Sequence, residues 1–191
     1  MECLKSGLNI FLKRSIQTSN VNSHTVIYKP IAPANPAQLE FNCTGHSEYY
    51  IDLNCVRLLL CFKLVKTDGS DIPSDEANTA GCVNNLLHSM FSSLSVSLND
   101  KPVTVHESNY HYKAYLEKRL NYGSDASGTH LLSSFWFLDS PTNDGALKNV
   151  GHTTRLHYLG NSNTKELFGR LHADLFNSDK MLINGVDMNI K

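Results

Sequence analysis

Between Gly81 and Gly123 the spacing of apolar residues changes period twice. Leu86, Leu87, Met90, Phe91 and Leu94 recur at helical spacing and predict a helical turn. Leu94, Val96 and Leu98 then alternate with Ser93, Ser95 and Ser97, which predicts a half-buried strand. Asn99-Asp100 supplies two residues that tolerate positive φ, as a two-residue hairpin turn requires. With those two as the loop, Val96 faces Val103 and Leu94 faces Val105, so turn and pattern agree on the register. Pro102 cannot donate to a ladder and marks an edge or a non-bonded position. A helix follows from about Tyr110 to Tyr122, with Asn109 as N-cap and Gly123 as the left-handed residue after it. Its apolar stripe reads Tyr112, Leu116 and Leu120, joined by Tyr115, while Lys113, Glu117, Lys118 and Arg119 occupy most of the rest. The pattern therefore predicts buried Leu116 and Leu120 and a solvated Lys118.

Elsewhere the period is mostly two. Pro30, Pro33 and Pro36 enforce an extended connection after a short β-rich run at Thr25 to Tyr28. Leu39, Phe41 and Cys43 alternate, then Tyr49, Ile51 and Leu53. The strongest strand runs from Val56 to Val65. Val56, Leu58, Leu60, Phe62 and Leu64 share one face, and the other is apolar in its middle, as for a strand covered on both sides at its centre. Ser124 to Leu132 reads as a short helix, and Arg155 to Leu159 as a strand. Leu171, Ala173 and Leu175, then Val186, Met188 and Ile190, alternate again. Short alternating strands with a single strong helix predict an all-β sandwich.

Length adds an organisation to this pattern. The 191 residues make one domain with an arm: 1–23 as a flexible N-terminal arm and 24–191 as the folded domain. A net charge of −1 gives no global attraction to nucleic acid or to an anionic membrane. No window is long and apolar enough to span a bilayer, and the start does not read as a signal peptide. Cys3, Cys43, Cys55, Cys61 and Cys82 are odd in number and lack C-x-x-C spacing, so they read as reduced core residues rather than disulfides or zinc ligands.

Candidate chemistry is sparse. His106 and His111, and His152 and His157, are each five apart, which is no recognised metal-ligand spacing. His172 and Asp174 fall on one strand face and could form a proton relay, but no G-x-S-x-G supplies a nucleophile for it. Asp68, Asp71, Asp75 and Glu76 read as an acidic solvated loop rather than a cation site. The Lys113–Arg119 cluster is interrupted by Glu117 and reads as a solvated helix face. Trp136 reads as a core or subunit-contact aromatic. The expectation is a protein with no catalytic, cofactor-binding or metal-binding residues.

The stretches VNNLLHSMFSSLSVSLNDKPV and NYHYKAYLEKRLNYG resemble the first jelly roll of double-jelly-roll major capsid proteins, such as those of Polinton (Maverick) elements and related viruses. IYKPIAP, QLEFNCTG and GRLHADLFNSDKMLINGVDMNIK carry the resemblance through the rest of the chain. Members of that family typically have Asn-Gly where this chain has Asn99-Asp100, and often Tyr-Pro-Tyr where it has Tyr110-His111-Tyr112. The resemblance implies a jelly-roll sandwich with inserted short helices, incomplete at its C-terminal end because family members continue into a second jelly roll. It implies a structural protein that assembles with itself into trimeric, pseudo-hexagonal capsomers of an icosahedral shell, alongside a minor or penton capsid protein. Such a protein is made inside the cell, takes no specific nucleic acid and is not an enzyme. The alternatives are a domesticated jelly-roll binding module and a cupin-type enzyme. The latter needs a clustered histidine–carboxylate metal site, and none stands out.

Overall fold

A computed structural model describes residues 20–31, 38–72, 81–104, 108–139 and 149–191. Its strands are short; several fall within the alternating runs, but one forms at Lys165–Arg170, while the alternation expected as a strand at Leu171–Leu175 leads instead into a 3-10 turn at Asp174–Asn177. β1 (Phe41–Cys43), β6 (Met188–Ile190), β3 (Val96–Leu98) and β4 (Lys101–Pro102) form an antiparallel sheet in the order β1-β6-β3-β4. β2 (Arg57–Phe62) and β5 (Lys165–Arg170) form a separate antiparallel ribbon. Four helices have α geometry among the described residues: α1 (Leu86–Ser89), α2 (Tyr110–Asn121), α3 (Ser124–Ser127) and α4 (Val150–Leu159). Buried apolar residues gather in two clusters. Cys43, Val96, Met188 and Ile190 of the larger sheet pack with Leu53, Leu171, Ala173 and Phe176. Leu86 and Leu87 of α1 pack with Phe135, Leu159 of α4 and Leu167 of β5.

The hairpin forms as its sequence dictates. Asn99 and Asp100 both take positive φ, 45° and 62°, the type I′ geometry that matches strand twist. Ser97 pairs with Pro102 and Leu98 with Lys101, the register in which Val96 stands opposite Val103. The ladder ends there, because the Val103 and Thr104 amides both donate to the Val96 carbonyl, a bulge that turns Val103 out to solvent while Val96 stays buried. Val105 lies outside the described residues. Asn99 also locks the turn onto β6, its side chain accepting the Asp187 amide at 2.9 Å. Asp100 has no such bond among those described and bears a Cβ in left-handed backbone. Asp100→Gly is therefore expected to be neutral or to raise the melting temperature slightly; a clear drop in a thermal melt would show that the aspartate side chain holds the turn.

The fold class differs from the all-β expectation. This is a mixed α/β arrangement of two small sheets and several helices, not a closed jelly roll. Three differences produce it. The segment read as a strand at Arg155–Leu159 belongs to α4, started by Asn149, whose side chain accepts the His152 amide at 3.3 Å. Tyr49 to Leu53 makes one isolated bridge, Ile51 to Leu182, and then a 3-10 turn at Leu53–Cys55 instead of a strand. The second sheet stops at β2 and β5. Leu59 and Phe168, paired across it, are 60% and 48% exposed, so β2 is covered on one face only. The arm read at 1–23 lies largely outside the described residues; 20–31 have no regular secondary structure, and Tyr28 packs against the larger sheet's cluster.

Besides Leu159 in the apolar cluster, α4 buries a charged side chain. Arg155 is 3% exposed and donates to the Cys82 carbonyl at 3.0 Å, the Phe137 carbonyl at 2.7 Å and Asp139 Oδ1 at 2.8 Å. No helix among the described residues is long and apolar enough to cross a membrane.

Candidate functional site

Helix α2 sits on the molecule with its polar side inward. Tyr110, Ala114 and Lys118, spaced i, i+4, i+8, are its buried residues. Tyr112, Leu116 and Leu120, the stripe expected to be buried, are 62%, 56% and 81% exposed. They line a shallow outer groove with Ser108, Lys113 and Glu117. The cause lies in what the helix packs against. α1 begins at Asn85, which adopts left-handed backbone (φ 59°), a conformation Asn tolerates. Gly169 lets α1 press onto β5, since a Cβ there would lie 2.6 Å from Leu87 Cδ2. The surface this presents to α2 carries Asn85, His88 and Ser134, all buried, and it accepts the helix by its hydrogen-bonding side. The helix ends differ too. Asn109 makes no side-chain cap bond, and Gly123 is extended rather than left-handed.

Beneath α2 these groups form one network. Lys118 Nζ donates to Asn85 Oδ1 at 2.8 Å and to Ser134 Oγ at 2.5 Å. Burial pulls its amine down to about 7. Ser134 Oγ in turn donates to the Leu131 carbonyl. His88 Nδ1 lies 2.9 Å from the Tyr110 hydroxyl, and the His88 ring meets the His172 ring edge-on at 4.6 Å. Burial first, then the Lys118 and His172 charges, holds His88 well below the usual histidine range. His172 Nδ1 contacts Glu117 Oε2 at 2.6 Å. Burial nonetheless lowers His172, outweighing the carboxylate. Burial pushes the Tyr110 phenol upward. His88 Nε2 and Asn85 Nδ2 have no partner among the described groups. Lys118 and His88 are 4% and 0% exposed, so they present no face to a substrate. A groove of about 230 Å³, lined by Leu94, Tyr110, Lys113, His172 and Asp174 among others, reaches the His172 end.

The residues singled out from sequence are placed as follows. His172 and Asp174 do not meet as a relay: β5 ends at Arg170, His172 turns to Glu117, and Asp174 pairs outward with Lys113 at 2.9 Å. Lys118 is not part of a solvated face. His111 stacks on Tyr112 at the start of α2; His106 lies outside the described residues. His152 and His157 are exposed on α4, on no shared face. Asp68 caps its own turn through Ser70, whose hydrogen bonds lower its carboxyl, and Asp71 pairs with Lys63 at 2.6 Å. Asp75 and Glu76 lie outside the described residues. Cys43 is buried and Cys82 half-buried, its thiol pushed by burial to about 11, but Cys55 and Cys61 are exposed, which corrects their reading as core residues. Cys3 lies outside the described residues. Trp136 is a core residue, 2% exposed. No group of three or more metal-ligating side chains occurs among the described residues.

Sequence reasoning missed the network itself. The signal for it was the i, i+4, i+8 run Tyr110-Ala114-Lys118, with a small residue at its centre, which reads as a contact face only when a polar partner is known.

Among known proteins, the chain is similar to "Uncharacterized protein F54H12.2" of Caenorhabditis elegans, 25% identical over 160 residues, 79% of this chain. That match spans 36% of the relative's own length. No protein-family model matches the chain, and no solved structure matches it.

Proposed function

We propose that this chain is a structural subunit that assembles with copies of itself, of the kind that builds a capsid shell from trimeric units. The observation that carries this reading is the inverted seating of α2, which leaves Tyr112, Leu116 and Leu120 facing solvent. A second apolar face, Leu59 beside Phe168, lies open on the β2–β5 ribbon. Two different apolar faces on one chain suit head-to-tail contacts, which close into rings when the rotation permits. Each is bordered by both signs of charge, Glu117 with Lys113 and Arg119 on α2, and Glu166 with Arg57 and Arg170 on the ribbon. With a net charge of −1, copies meet without strong repulsion. The capsid-like sequence stretches point the same way. On this reading the chain's work is contact rather than catalysis, its partners are its own copies and a minor capsid protein, and its place is a particle shell.

Light scattering across a concentration series tests this. The expected result is mass rising with concentration through a trimer, with Leu116→Glu/Leu120→Glu and Leu59→Glu/Phe168→Glu each shifting the population toward monomer. A monomer at every concentration overturns the reading and favours a monomeric binding module. Aggregation that neither charged pair reduces overturns it as well.

A further inference from the structure

The hydrogen bonds under α2 depend on which nitrogens carry protons. Three bases, Lys118, His88 and His172, meet beneath the helix, with the Arg170 guanidinium near His172. Glu117, on α2 itself, is the carboxylate that faces them. Tyr110 faces them as a phenol, and besides His88 itself α1 and the 130–134 turn contribute the neutral Asn85 and Ser134. Asp174 is turned outward onto Lys113. Each proton taken up here adds positive charge to a desolvated site with a single negative partner.

The geometry is tightest at His88. The Tyr110 hydroxyl accepts the His172 amide at 3.4 Å and lies 2.9 Å from His88 Nδ1. His88 Nε2, on the other side of the ring, has no partner among the described groups. With both ring nitrogens protonated, Nδ1 can donate to the Tyr110 hydroxyl, but Nε2–H has nothing to donate to among those groups. Charging His88 therefore buries a cationic N–H with no acceptor among the described groups, where α1 meets α2.

We infer that α2 is a pH-operated latch: proton uptake by Lys118, His88 and His172 as the solution is acidified lifts the helix from α1 and from Trp136. The latch stands on this geometry; its consequence, loss of the α2 contact face on acidification, rests on the association reading above. The sign follows from burial, which depresses all three bases in the seated state, so the seated helix binds fewer protons than the released one. For Lys118 the contribution is full above 10.5 and is lost as pH falls toward about 7. For the two histidines it is full above 6.5 and is lost further down. Acid thus releases the helix.

Trp136 reports the event. It is the chain's single Trp, buried, with its ring 5.1 Å from that of Tyr115 and 5.9 Å from Lys118 Nζ. Acrylamide quenching of its fluorescence should rise at least about twofold between about pH 8 and about pH 5, while most far-UV ellipticity persists. Lys118→Met and His88→Gln should each move the midpoint to lower pH by roughly one unit or less. A flat wild-type titration overturns the latch, as does quenching that rises only with complete loss of ellipticity. A midpoint unmoved in every variant that folds overturns it too. Scattering on the same samples separates the two readings. Quenching that rises with no association at any pH leaves the latch standing and removes the association face, whereas association that ignores pH with flat quenching does the reverse.

Discussion

Phe176→Ala is expected to cost about 3–5 kcal/mol, and Leu116→Ala or Leu120→Ala no more than about 0.5 kcal/mol each. Phe176 is 0% exposed, closed in by Leu53, Leu171 and Met188 in the cluster under the larger sheet. Removing its ring leaves a cavity whose walls come from strands, a 3-10 turn and an extended segment, and the cost rises with the volume that stays unfilled. Leu116 and Leu120 give up little, because water already covers most of both side chains. The ranking opposes what α2's own sequence suggests, since its leucines and tyrosines line up as an apolar stripe. Urea unfolding of the monomeric protein at low concentration decides it. Losses at Leu116 and Leu120 approaching that at Phe176 would mean that α2 is seated on its apolar side.

That contrast marks where the sequence was legible. The hairpin could be read because everything that specifies it is local: Asn99 and Asp100 accept positive φ, and the flanking alternation admits one register. β1 and β6 were legible for the same reason, through Phe41/Cys43 and Met188/Ile190. The buried face of α2 was not, because Asn85, His88 and Ser134, which select it, stand far away in the chain. Amphipathicity reports which face is apolar, and burial follows only if the neighbouring surface is apolar too. The fold class failed on closure. Alternation marks a strand as half-buried but does not say whether a second sheet covers it, and Leu59 opposite Phe168 remained open. The candidate site was present in the sequence only as separate His, Lys and Tyr residues, with His172 assigned the wrong partner because a strand was extended past Arg170.

Arg155→Ala is expected to cost about 2–5 kcal/mol, chiefly from two backbone carbonyls left without a donor at about 1–3 kcal/mol each. The guanidinium joins three parts of the chain: Nε reaches the Cys82 carbonyl, Nη1 the Phe137 carbonyl and Nη2 the Asp139 carboxylate. Asp139 is half-exposed and water can replace its share, so the two carbonyls account for most of the loss. Asp139→Asn should accordingly cost under about 1 kcal/mol. Arg155→Lys keeps the charge but offers one point where the fork offers three directions, so it should recover less than half of the alanine loss. The same geometry explains why Arg155–Leu159 is helical. Asn149 caps the start, Gly151 passes so close to the Leu138 carbonyl that a Cβ would collide with it, and Arg155, one turn on from Gly151, lands on Phe137. Urea unfolding and amide exchange of α4 measure the effect together. An Arg155→Ala protein within about 0.5 kcal/mol of wild type, with α4 still protected, would show that the helix is held by Leu159 and the apolar cluster rather than by the guanidinium.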